Sequence, residues 1–76
     1  MVDLRECKAG DKLVSKHGLI LTYVRALPEG AYMDHEVQYP DDDEYGGGIG
    51  TRTHDGFVYR KSRLETDQDI VEIIKQ

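Results

Sequence analysis

The chain has no tryptophan, and only one phenylalanine, two prolines and one cysteine among its 76 residues. A lone cysteine, Cys7, closes no internal disulfide and excludes zinc sites built on paired cysteines, so the fold rests on its core and its hydrogen bonds. No stretch approaches the roughly 20 apolar residues of a membrane span. The opening MVDLRECKAGD carries acidic residues where a secretory signal needs an apolar run. A cytoplasmic protein with no membrane partner is expected. Basic residues are also scarce: 10 Lys and Arg face 15 Asp and Glu, for a net charge of −5. Sequence-independent nucleic-acid binding gains affinity by neutralising phosphates, and this balance works against it.

A chain this short makes one domain, residues 1–76, near the lower end of what folds unaided. Its total stability is roughly 4 to 11 kcal/mol at the usual yield per residue. A deep catalytic cavity would remove core that such a domain hardly has. The expectation is therefore a non-enzymatic protein without a cofactor that works from its surface.

What the chain does have is short apolar runs broken every few residues by Gly, Pro or Asp, the spacing of a strand meander. A turn at Lys8 to Asp11 precedes a strand over Lys12 to Lys16, and His17-Gly18 forms a two-residue connection to the run Leu19 to Leu27. That run divides into Leu19, Leu21, Tyr23, Arg25 and Leu27 on one face and Ile20, Thr22, Val24 and Ala26 on the other. After Pro28-Glu29-Gly30, residues Ala31 to Tyr39 alternate so that Ala31, Met33, His35, Val37 and Tyr39 form the inward face, with His35 at the core or its rim, while Asp34 and Glu36 point to water. Thr51 to Thr53 and Phe57 to Arg60 flank a three-residue loop, His54-Asp55-Gly56. The β-branched density of Ile70, Val71, Ile73 and Ile74 favours a closing strand. Thr66 followed by Asp69 resembles a capping box, which makes a short C-terminal helix the alternative. An open sheet would expose two edges, so the predicted fold is all-β: a small five-stranded SH3-like barrel with a long acidic, glycine-rich loop.

That loop, YPDDDEYGGGIGTRTHDG from Tyr39 to Gly56, is the unusual stretch. As a calcium loop starting at Asp41 it places Asp43 and Gly46 correctly, but Tyr45 stands at a ligand position and Arg52 falls where the bidentate glutamate must sit. As a phosphate cradle it lacks the glycine spacing and the Lys-Ser/Thr ending, and its carboxylates repel phosphate. A solvated acidic connection is the plain reading and a contact loop the functional one. The histidines His17, His35 and His54 have acidic neighbours, but adjacent strand residues point to opposite faces, so Asp34-His35-Glu36 does not converge on one ion. Ordinary turn or rim positions are expected for all three, and a partly buried apolar role for Cys7.

CKAGDKLVSKHGLILTYV, the Asp55-Gly56 turn and the closing DIVEII resemble the small SH3-like or KOW-like barrel proteins of uncharacterised bacteriophage and prophage genes. The resemblance spans most of the chain outside Asp41 to Gly50, and implies a compact accessory protein that binds a host or phage macromolecule. It supplies no catalytic residues. The leading expectation is a protein-binding module whose contact comprises Tyr39, Asp41, Asp42, Asp43, Glu44, Tyr45 and Arg52 and reaches a basic groove, as on a nucleic-acid-handling protein. Two other classes stay open. One is a nucleic-acid-binding barrel using Arg52, Arg60, Lys61, Arg63 and exposed tyrosines. The other is a small metal-dependent enzyme.

Overall fold

The structure, a computed structural model, describes residues 2–44, 46–58 and 66–75. Five strands form one antiparallel sheet: β1 (Lys12–Ser15), β2 (Ile20–Ala26), β3 (His35–Gln38), β4 (Ile49–Arg52) and β5 (Ile70–Ile74). Their order is β4-β3-β2-β1-β5, so the chain's last strand returns beside its first. The described part contains one helical element, a 3-10 turn at Leu4–Glu6 capped by the Asp3 side chain, which accepts from Arg5 N. Mainly β architecture is thus as the sequence indicates. Among the described residues β4 and β5 share no ladder, so strand pairing does not close a barrel. Two turns stand in the gap and carry single bonds across it, Ile70 N to Gly56 O at 2.8 Å and Arg52 Nε to Gln68 O at 3.1 Å.

The turns follow from side chains able to hold them. At Lys8–Asp11 the buried Asp11 carboxylate accepts from Lys8 N at 3.0 Å, and Gly10 takes a φ of 95°. The β1–β2 connection is longer than the two residues expected. Ser15 N bonds to Leu19 O and the Ser15 hydroxyl accepts from Leu19 N, leaving Lys16, His17 and Gly18 as the loop. The extra residue frees Lys16 N and His17 N to bond Asp69 O and Asp67 O, which prolongs the contact with the β5 side. At the other end, Gly56 (φ 89°) closes a turn on Thr53, and a Cβ there would lie 2.7 Å from Ile70 O. No strand follows this turn at Phe57 and Val58; Tyr59 and Arg60 lie outside the described residues.

Leu4, Leu13, Leu21, Tyr23, Val37, Tyr39 and Ile70 make one core, with Val2, Cys7, Leu19 and Ile73 packed against it. Burial of this apolar surface is the main stabilising term. Two irregularities decide which residues reach the core. The β2–β3 register shifts between Tyr23 and Arg25, making Val24 the extra residue. Simple alternation puts Arg25 on Tyr23's inward face, but the shift turns it outward to an exposed ion pair with Glu36 at 3.3 Å. A second shift lies between Val14 and Ser15 opposite β5, where Val71 is the residue skipped in the pairing. Ile70 is consequently buried and Ile73 half-buried three positions apart, while Val71 and Ile74 are exposed. Strand is the outcome here, and the Thr66–Asp69 pairing serves a turn that feeds it: Asp69 carboxylate oxygens accept from Thr66 N, Thr66 Oγ1 and Val58 N.

Candidate functional site

The acidic segment leaves β3 after Tyr39 and returns at β4. Pro40 O accepts from Asp43 N at 3.2 Å and Gly47 N at 3.1 Å, and Asp43 O accepts from Gly46 N at 2.9 Å. Tyr39 N to Gly48 O, together with Gln38 Nε2 to Gly47 O, joins the two ends. Gly46 (φ 59°) and Gly47 (φ 77°) supply left-handed backbone here, and a Cβ on Gly47 would fall 2.4 Å from Asp41 Oδ1. The segment is wound, with Asp41, Asp42 and Glu44 exposed and Asp43 half-buried.

Beneath it sits a polar clamp. Arg52 is 1% exposed, and its guanidinium donates to Tyr39 Oη (2.8 Å), Gln68 O (3.1 Å) and Thr51 O (2.7 Å) while lying 5.6 Å from the Tyr39 ring centre. Tyr39 in turn donates its hydroxyl to Gln68 Oε1 at 2.8 Å. Gly50 leaves room for this arrangement, since a Cβ would come 2.9 Å from the Tyr39 ring and 3.3 Å from Arg52 Nη1. Two of the residues expected at a contact, Tyr39 and Arg52, are therefore buried supports. Tyr45 lies outside the described residues, as do Arg60, Lys61 and Arg63.

Two of the four acidic side chains gain company from far along the sequence. A cleft of about 270 Å³ is lined by Asp43 and Glu44 from the segment, His17 and Leu19 from the β1–β2 loop, Ser15, and Asp67 and Gln68 from the turn before β5. No described lining residue is a lysine or arginine. Sequence reading singled out the acidic run but gave no sign that Asp67 and His17 would join it, because only the β1–β5 pairing brings them there.

On the opposite end of β3 the structure assembles a second polar group that alternation argues against. Asp34 precedes the first residue of β3, so strand geometry does not separate it from its neighbour His35. Tyr23 Oη lies 2.7 Å from His35 Nδ1, and His35 Nε2 lies 2.8 Å from His54 Nδ1. His54 Nε2 is 3.7 Å from Asp34 Oδ1, and His54 N donates to Asp34 Oδ2 at 3.1 Å. The chain borders a cleft of about 560 Å³ between the N-terminal turn and the β2–β3 connection, with Arg5, Cys7 and Met33 also on its wall.

Burial sets the protonation states along this chain. Burial first, and then the neighbouring His54, pushes His35 below the ordinary histidine value of 6.5, so its ring is neutral at pH 7. Burial also raises the Tyr23 phenol and the Cys7 thiol, which keeps both protonated. Cys7 is thus a half-buried packing residue and no activated nucleophile. Asp3 is held below the usual carboxylate value by the Arg5 side chain, which forms two bonds with it, and by Arg5 N. Among the described residues no three His, Cys, Asp or Glu side chains are grouped to hold a metal ion.

Comparison with known proteins adds nothing to this geometry: protein-family models, curated proteins and solved structures all give no match to the chain. No described helix is long and apolar enough to cross a membrane.

Proposed function

We propose that this chain is a non-enzymatic accessory binding module of the phage or prophage type, a small SH3-like barrel that docks a basic segment of a host or phage protein. The observation that carries this reading is the acidic cleft, where Asp43 and Glu44 meet Asp67 and His17 beside the exposed Asp41 and Asp42. Carboxylates contributed by separate turns present fixed acceptors for Lys or Arg side chains, and the surrounding field speeds encounter. The buried Tyr39–Arg52–Gln68 clamp holds the base of the acidic segment and lowers the ordering entropy that docking must overcome. The return of β5 beside β1 supports the barrel reading. For direct nucleic-acid binding, burial of Arg52 removes one of the four cations that reading needs.

Titration of isotope-labelled protein with a Lys/Arg-rich peptide at low salt should shift the amides of 41–44, 17 and 67. The variant carrying Asp41→Asn, Asp42→Asn, Asp43→Asn and Glu44→Gln should associate at least about tenfold more slowly, with the difference shrinking as salt is added. Equal association of the neutral variant, or tighter binding to single- or double-stranded oligonucleotides than to the peptide, would reject the proposal.

A further inference from the structure

The Tyr23–His35–His54–Asp34 chain uses none of the residues assigned to docking and has its own logic. Each ring nitrogen of the buried His35 faces one partner, and a neutral imidazole has one donor and one acceptor. Two directions of bonding are open to the chain. In the first, the Tyr23 hydroxyl donates to His35 Nδ1, His35 Nε2–H donates to His54 Nδ1, and His54 Nε2–H points at Asp34 Oδ1. In the second, every bond runs backward, and a bare His54 Nε2 lone pair faces the Asp34 carboxylate. Repulsion between that lone pair and the carboxylate selects the first.

We propose that this chain is a proton-operated switch: uptake of one proton by His54 reverses the whole chain and turns the Tyr23 hydroxyl proton into the cleft. His54 is the entry point because its side chain is 45% exposed while His35 is 1% exposed. With Nε2–H already in place, the added proton ends on Nδ1, which then becomes a donor toward His35 Nε2. Two facing N–H groups do not coexist at 2.8 Å, so His35 carries its single proton on Nδ1 instead. Tyr23 Oη becomes the acceptor of that proton, and its own O–H is released toward the cleft that Tyr23 lines. One solvent proton is gained, no other proton is lost, and the charge gained sits on His54 beside Asp34.

The groups facing the chain fit this direction of response. Asp34 Oδ1 lies 3.7 Å from His54 Nε2 and Asp3 interacts electrostatically with His54, so both carboxylates favour a charge there, while Arg5 is paired to Asp3 and Tyr23 and Cys7 are uncharged. Asp55 follows His54 on its own turn and lies near Arg5. His54 also anchors the N-terminal segment, whose Leu4 N donates to His54 O at 2.7 Å, so the switch is tied to a core residue.

Nitrogen NMR of the imidazole rings across a pH titration tests the proposal. His35 should carry its proton on Nε2 at high pH and on Nδ1 at low pH, changing at the same midpoint as His54 gains its charge. In His54→Gln, which leaves a half-exposed site polar, the change at His35 should vanish. In Tyr23→Phe, where Asp34 still sets the direction of the chain, His35 should keep its proton on Nε2 at high pH. A His35 ring that keeps its proton on Nε2 throughout the titration of His54, or that becomes charged before His54 does, overturns the switch. So does a tautomer change that survives in His54→Gln.

Discussion

Two buried polar clusters sit at opposite ends of β3, and they differ in the kind of proton they hold. At Tyr39 the cluster is built on Arg52, a cation that stays charged at any physiological pH and donates to oxygens of Tyr39, Gln68 and Thr51. At His35 it is built on two imidazoles, whose bonds depend on where each proton resides. The first joins β3, β4 and the turn before β5 permanently, across the side where the described residues form no ladder. The second joins β2, β3 and the 53–56 turn conditionally. A domain of this size thus separates a fixed fastening under the acidic segment from an adjustable one under the larger cleft.

Removing the fixed fastening should have the largest effect. Arg52→Met leaves the Tyr39 hydroxyl, Gln68 O and Thr51 O to find other donors in a buried place, at a cost of about 3 kcal/mol. Urea unfolding read by tyrosine fluorescence measures it, and a loss below about 1 kcal/mol would mean the clamp is ornamental. At the other end Tyr23→Phe deletes one hydroxyl and strands His35 Nδ1, which should cost about 1 to 2 kcal/mol in the same assay. Equal losses in the two variants would erase the distinction between the clusters.

The pH dependence separates them further. The folded state holds His35 below its ordinary value of 6.5, so between that value and the lower folded one the unfolded chain binds more protons. Stability contributed by the neutral ring is complete above about pH 6.5 and falls as pH drops through this window, by at most about 1.4 kcal/mol per pH unit for one proton. Denaturation curves at successive pH values should show this loss in the parent and in Arg52→Met, and a smaller one in His35→Gln. The same slope in His35→Gln would assign the acid sensitivity to other groups.

Much of the sheet was legible because period-two burial dominates where strands pair regularly: Met33, His35, Val37 and Tyr39 are buried as alternation predicts, and Leu21 and Tyr23, which alternation puts on one face, are buried together. Legibility ended at the two register shifts. Nothing in LTYVRAL says that Val24 is skipped, so Arg25 reads as sharing a face with Leu21 and Tyr23. The spacing of the inward Ile70 and Ile73 suits a helix as well as an irregular strand, which is why the last element looked ambiguous. The His35–His54 contact was hidden for a different reason. It depends on the 53–56 turn folding back against β3, a long-range placement that composition and spacing do not encode. Arg52 reads as a surface cation by residue type, and its burial follows only from three acceptors arriving from separate segments.

The smallest expected effect falls on the acidic segment itself, and it shows whether the fixed fastening needs what it supports. Neutralising Asp41, Asp42, Asp43 and Glu44 removes mutual repulsion from a chain of net charge −5, but three of the four side chains are exposed and screened. The winding of the segment runs through Pro40 O, Asp43 O and the two left-handed glycines, which these substitutions leave in place. Unfolding free energy should therefore change by less than about 0.5 kcal/mol while association with a basic peptide slows. A loss above about 1 kcal/mol would show the carboxylates bracing the clamp, and the acidic segment would then owe its composition to folding before docking.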